Sequence, residues 1–173
     1  MELKVYKAHK NEVTGEVQSV QEHSRNTAEL GMKFAIPVMK ESVYVMGLLH
    51  DIGKYQASYQ RRINGENIKV EHSGCGALAA AELYPNPVGL MMEYCIAGHH
   101  SGIPDGGYPN DTADMGTLCG RLKRQFEDFE RYKKELKLPN VKTEEVIRFL
   151  AQDCDKNKEV LIDKFAFFTR YCF

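Results

Sequence analysis

An all-α fold is what this chain predicts. Apolar residues recur at three-to-four spacing through most of its length, prolines and glycines break those stretches at helix-sized intervals, and strand-type alternation shows only once, near the start. We expect a compact bundle of about six or seven helices, formed by residues 1–173 as one domain. The 173 residues, 43% of them hydrophobic, are enough to bury a continuous core.

The elements follow in order. "LKVYKAHK" (3–10) alternates weakly and reads as a short strand or an extended arm. "SVQEHSRNTAELGMKFAIP" (19–37) is a helix closed by Pro37. "MKESVYVMGLLHDIGKYQ" (39–56) is a second, strongly apolar one, followed by "RRINGENIK" (61–69) as a loop. "EHSGCGALAAAELYP" (71–85) is rich in small residues, which suits close helix packing, and Pro85 and Pro87 separate it from the apolar "VGLMMEYCIAGHH" (88–100). Gly102, Pro104, Gly106, Gly107 and Pro109 then make a loop. Met115, Leu118, Leu122, Phe126 and Phe129 predict one amphipathic helix over 111–137. Thr143 as N-cap, with Glu144 and Glu145 in the first turn, starts a helix over 144–154, and 157–173 supplies the last one.

Several classes of function are disfavoured at once. A net charge of -1 argues against a polybasic binder, although a local cationic groove is compatible with it. No apolar run approaches the length of a membrane span, and the first residues lack the apolar centre of a secretion signal. Five scattered cysteines without CxxC spacing fit neither a disulfide framework nor a thiolate zinc site, so a cytoplasmic location is expected.

The chemistry concentrates in the histidines. Five of the six, His23, His50, His72, His99 and His100, fall in or at the ends of four different predicted helices, and Asp51 adjoins His50. The sixth, His9, reads as a surface or hydrogen-bonded residue. Helix ends that meet at one end of a bundle can project such side chains into a shared cavity. Imidazole and carboxylate together suit borderline divalent ions, Mn, Fe, Ni, Co or Zn, with Mg also open, and a carboxylate can bridge two of them. Burying several polar rings without partners would cost a few kcal/mol each, which a shared metal centre removes. No Ser-His-Asp or Cys-His arrangement offers a side-chain nucleophile instead.

The motifs "HS" (23–24), "LLHDIGK" (48–54), "HS" (72–73) and "GHHSGIPD" (98–105), in that order, resemble the HD superfamily of metal-dependent phosphohydrolases. The doubled histidine before Ser-Gly, "YQASYQ" after the HD pair and the opening "YKAHKNEVTGEVQSVQEHSRNTAELG" resemble more closely the HD nuclease domain of the CRISPR-associated helicase-nuclease of type I systems. The likeness spans residues 6–105. It implies that His23, His50 and Asp51 hold one metal, that Asp51 bridges to a second held by His72, His99 and His100, and that Lys54 contacts a phosphate or the attacking water, with Asp51 and Lys54 the catalytic pair. It further implies cleavage of single-stranded DNA in antiviral interference, with a helicase domain or subunit and a CRISPR RNA-guided surveillance complex as partners.

One part of the family pattern is absent. The first metal of that family takes a further aspartate in a segment resembling "S-x-L-V-D-A-D", and "FFTRYCF" looks like the lead-in to it. The expectation is a fragment whose natural chain continues into that aspartate and a helicase, with the first ion weakly held here. Asp153 and Asp163 are the candidate substitutes, both read as residues on solvated faces. Arg61 and Arg62 are candidate DNA contacts, with Arg121, Lys123 and Arg124 as further charges along a strand. Tyr55, Tyr59 and Tyr108 are candidates for stacking on bases, the first two equally for packing, and Ser73 and Ser101 read as local hydrogen-bonding groups. The competing readings are a phosphohydrolase acting on small nucleotides and a degenerate HD module used only for docking.

Overall fold

In the computed structural model, residues 5–155 and 157–173 are described. A hairpin of β1 (Lys7–Lys10) and β2 (Val17–Ser19) leads directly into α1 (Val20–Phe34). Then come α2 (Lys40–Leu49), α3 (Ala57–Ile63), α4 (Ser73–Leu83), α5 (Val88–Gly98), the short α6 (Leu118–Leu122) and α7 (Tyr132–Glu135), α8 (Thr143–Ala151) and α9 (Lys158–Cys172). Two 3-10 turns, Pro37–Met39 and Ile52–Tyr55, precede α2 and α3. The helical class is as the periodicity predicts, the expected extended segment is the first strand of the hairpin, and nine helices stand among the described residues where six or seven were expected. Residues 3 and 4 of the expected strand lie outside the described residues.

Helices α1, α2, α4 and α5 form the heart of the bundle. Their buried faces supply Val20, Ala28, Val45, Leu48, Leu49, Ala77, Ala80, Met91, Met92 and Ile96 to one core. Close approach is what the small residues are for. A Cβ on Gly47 would sit 2.5 Å from the Ala28 Cα, so this glycine lets α1 and α2 touch backbone to backbone. Ser19 caps α1 by accepting from the Glu22 amide (3.1 Å), and Pro37 begins the turn that re-aims the chain into α2.

Three predicted elements differ. The amphipathic helix over 111–137 is broken into α6 and α7 with irregular chain between them. Leu118, Leu122, Phe126 and Phe129 still pack on the core, but the backbone between is held by tertiary bonds: Gln56 Oε1 accepts from the Glu127 amide (3.1 Å), and Glu127 accepts from the Ser58 amide (2.7 Å). Periodicity reported burial here, and long-range partners won the backbone. The second predicted helix stops at Leu49, and "RRI" belongs to the last turn of α3 rather than to a loop. Thr143 is the first residue of α8, not its N-cap, which is Lys142 without a side-chain bond; Glu144 and Glu145 do occupy the first turn.

Candidate metal centre

Four helix ends and one turn converge where α2 breaks. His23 is the fourth residue of α1, His50 caps the C-terminus of α2, His72 precedes the first residue of α4, and His99 and His100 follow the last residue of α5. Asp51 comes one residue after His50 and opens the 3-10 turn. That turn can lie against α4 only because residue 53 is glycine. A Cβ there would meet the His72 carbonyl oxygen at 2.2 Å.

Asp51, 2% exposed, is the hub. Its Oδ2 lies 2.9 Å from His23 Nε2, 3.2 Å from His50 Nε2 and 2.7 Å from Lys54 Nζ. Its Oδ1 faces the other way, 3.2 Å from His72 Nε2 and 3.5 Å from His99 Nε2. His23 and His50 approach each other through their Nε2 atoms at 3.1 Å, as do His72 and His100 at 2.8 Å. One carboxylate thus stands between two imidazole clusters. Burial opposes ionisation of Asp51, yet the imidazoles of His23, His50, His72 and His99 outweigh it and hold the carboxyl well below the usual range.

The fit to a divalent cation can be judged from the donors themselves. The Nδ1 atoms of His50 and His99 contact the carbonyls of Gly47 (2.8 Å) and Ile96 (2.7 Å). A carbonyl only accepts, so each Nδ1 of a neutral ring carries the proton and each Nε2 presents a lone pair toward the centre. Those lone pairs face a carboxylate, an arrangement that calls for a cation between them. Consistently, Asp51 Oδ1 and His99 Nε2 are buried without a hydrogen bond. Two nitrogens on one ion at bond lengths of about 2.0–2.1 Å stand roughly 3.0–3.4 Å apart, close to the His23–His50 and His72–His100 spacings. The donor set fits.

The HD domain family profile matches residues 20–155 of the chain. The chain belongs to the HD domain family. HD domains are metal-dependent phosphohydrolases that bind divalent ions, and this chain is therefore a metal-dependent hydrolase of that class. Among curated proteins none matches it.

All six residues expected to hold metal in this HD domain, His23, His50, Asp51, His72, His99 and His100, are brought together. Lys54 joins them: it is buried, paired with Asp51, and turned toward the Ala8 carbonyl (3.4 Å). Other candidates are placed elsewhere. Arg61 pairs with Glu66 (3.1 Å) on the exposed end of α3, beside an exposed Arg62. Arg121 donates to the Ala97 carbonyl (2.6 Å) and Ser101 Oγ (3.1 Å), Lys123 to the carbonyls of Pro109 and Asp111, and Arg124 to that of Ala113 (2.9 Å). Tyr55 and Tyr59 are buried packing residues and Tyr108 is exposed. Ser73 donates to Glu71 (2.6 Å), a local bond as expected. Asp153 and Asp163 are exposed and lie outside the ligand clusters found among the described residues.

One functional candidate escaped the sequence. His9 of β1 lies with His23 and Asp51 so that one donor atom of each is within 4.8 Å of the others, and its ring packs edge-on against His23, centroids 4.6 Å apart. Burial, the Lys54 charge and then His23 hold its pKa below the ordinary value. In the sequence His9 stands in the weakly alternating "YKAHK" and in the opening segment that carries the family resemblance, and neither says where a strand folds back.

Proposed function

We propose that this HD domain hydrolyses phosphodiester bonds of single-stranded DNA, using two divalent ions that share Asp51. The observation that carries it is the carboxylate with one oxygen toward His23 and His50 and the other toward His72 and His99. Ions there would be held by His23, His50 and Asp51 on one side and by Asp51, His72, His99 and His100 on the other. Divalent ions so placed lower the pKa of bound water and neutralise charge on phosphoryl oxygens. The chain's own part is orientation: Gly47 and Ile96 carbonyls fix two rings, and the buried turn fixes the carboxylate. Lys54 is the cation that would meet a non-bridging phosphate oxygen, its Nζ already at the edge of the centre.

The choice of DNA, and of a role in CRISPR interference with a helicase and an RNA-guided complex, is supported by the ordered motifs and by the open rim, where His100 is exposed. The small-nucleotide reading gains from one observation: Arg61, Arg121, Lys123 and Arg124 are engaged with protein acceptors and offer less to a long phosphate track. Circular single-stranded DNA, deoxynucleotides and cyclic nucleotides, each incubated with Mn, Ni, Fe or Mg and with chelator, separate the two. Metal-dependent linearisation of the circle supports the nuclease. Nucleotide turnover with an intact circle supports the alternative.

A further inference from the structure

The centre is lopsided when only the predicted ligands are counted. Oδ1 of Asp51 faces a cluster that contains three imidazoles, His72, His99 and His100, one of them on the exposed rim. Oδ2 faces His23 and His50, which leaves that half one protein donor poorer. His9 lies on this poorer side. It is also on the exposed rim, so the two halves are matched when it is included.

Several features bring it there. The pairing of β1 with β2 is irregular between Lys7 and His9, and such a bulge rotates the following side chain out of strict alternation. Ala8 is buried beneath the strand while His9 turns to the His23 ring. The strand is fastened to α3 by Gln60, which accepts from the Lys7 amide (2.9 Å) and donates to the Lys7 carbonyl (3.0 Å), and by Lys7 Nζ donating to Asn64 (2.6 Å). Gln60 also donates to the Lys54 carbonyl (2.7 Å), so one side chain ties the hairpin to the turn that carries Asp51. The site beside His9 already receives a positive charge: Lys54 Nζ lies 2.7 Å from Asp51 Oδ2 and 3.5 Å from His9 Nε2. To accept from an ammonium, Nε2 must present its lone pair, which is the form that ligates a metal. The hairpin precedes residue 20, where the match to the HD family begins.

We infer that His9 is a ligand of the first divalent ion, joining His23, His50 and Asp51 to give that half four protein donors. This rests on the reading of the cluster as a metal centre. It adds a protein donor beside Oδ2 from within the described residues, without calling on Asp153 or Asp163. The N-terminal hairpin is then a working part of the site rather than a decoration on the bundle.

Chelator-stripped protein is titrated with MnCl2 while electron paramagnetic resonance counts free Mn2+, for the wild type and the His9→Ala, His9→Asp, His23→Ala and His100→Ala variants. The wild type is expected to take up two ions. His9→Ala should weaken one of them by about ten-fold or more and leave the other unchanged, and its bound Mn2+ should lose one imidazole-nitrogen coupling in the pulsed spectrum. His23→Ala should weaken the same ion, His100→Ala the other, and His9→Asp should restore most of the loss. A His9→Ala isotherm and nitrogen coupling equal to the wild type, while His23→Ala weakens an ion, overturns the role of His9 and leaves the centre standing. Failure of the wild type to bind any Mn2+ overturns the centre itself and the role of His9 with it.

Discussion

Asp51 and Lys54 form a buried ion pair that would be a poor investment for stability alone, because removing two charges from water costs several kcal/mol per ion. The pair makes sense where a carboxylate must stay ionised and a cation must stay near a phosphate. Replacing Lys54 by Met should therefore lower kcat for phosphoester hydrolysis by about a hundred-fold while Mn2+ uptake stays at two ions, which steady-state rates and metal counting check together. The rim histidine His100 gives a pH signature. Burial, then His99 and His72, push its pKa down to about 4 from 6.5. Between those values the unfolded chain binds the extra proton, so this contribution to stability is full above about pH 6.5 and is lost as pH falls toward 4. Urea midpoints of the chelated protein across pH 4–7 should fall in that direction, and His100→Asn should flatten the slope. That His50, Asp51, His99 and His100 would stand together was legible because the two adjacent pairs end apolar runs, and His23 and His72 joined them through the ordered motifs. His9 was not, because its role depends on a bulge and a clasp from Gln60, both long-range facts.

The elements place these residues through close contacts that tolerate little change. Gly53 lets the turn after Asp51 lie on His72, and the atoms in the way of a Cβ are the His72 carbonyl oxygen at 2.2 Å and its Cα and Cβ at 2.7 Å, none of them the far end of a flexible side chain. Gly53→Ala should cost about 1–3 kcal/mol in urea unfolding and weaken Mn2+ binding as well. Gly65→Ala, at an open loop position with φ +110°, serves as the control that strains the backbone without touching the centre. The same scale explains the error over 111–137. Leu118, Leu122, Phe126 and Phe129 are spaced for a helix and do pack inward, but Gly116 and Gly120 weaken helix propensity, and Gln56 and Glu127 bond the intervening chain to the turn and to α3. Apolar spacing records which side chains are buried; here it did not record the backbone that carries them.

At the scale of the whole molecule, four core helices act as a frame whose ends meet at one carboxylate, and a hairpin closes one side of that meeting point. The frame is what sequence periodicity can reveal, since α1, α2, α4 and α5 bury continuous apolar faces. No helix among the described residues is long and apolar enough to cross a membrane. The HD family membership covers that frame, and His9 and His100 stand at its exposed rim on opposite halves of the centre. The claim on which everything else depends is that Asp51 serves two ions in phosphoester hydrolysis. Its most direct test is Mn2+-dependent hydrolysis of single-stranded DNA and of nucleotides by the wild type and Asp51→Asn, with bound metal counted on the same samples. The account predicts cleavage that requires the ion, two ions bound to the wild type, and loss of both properties in Asp51→Asn. Cleavage that persists in chelator, or in Asp51→Asn, would contradict it.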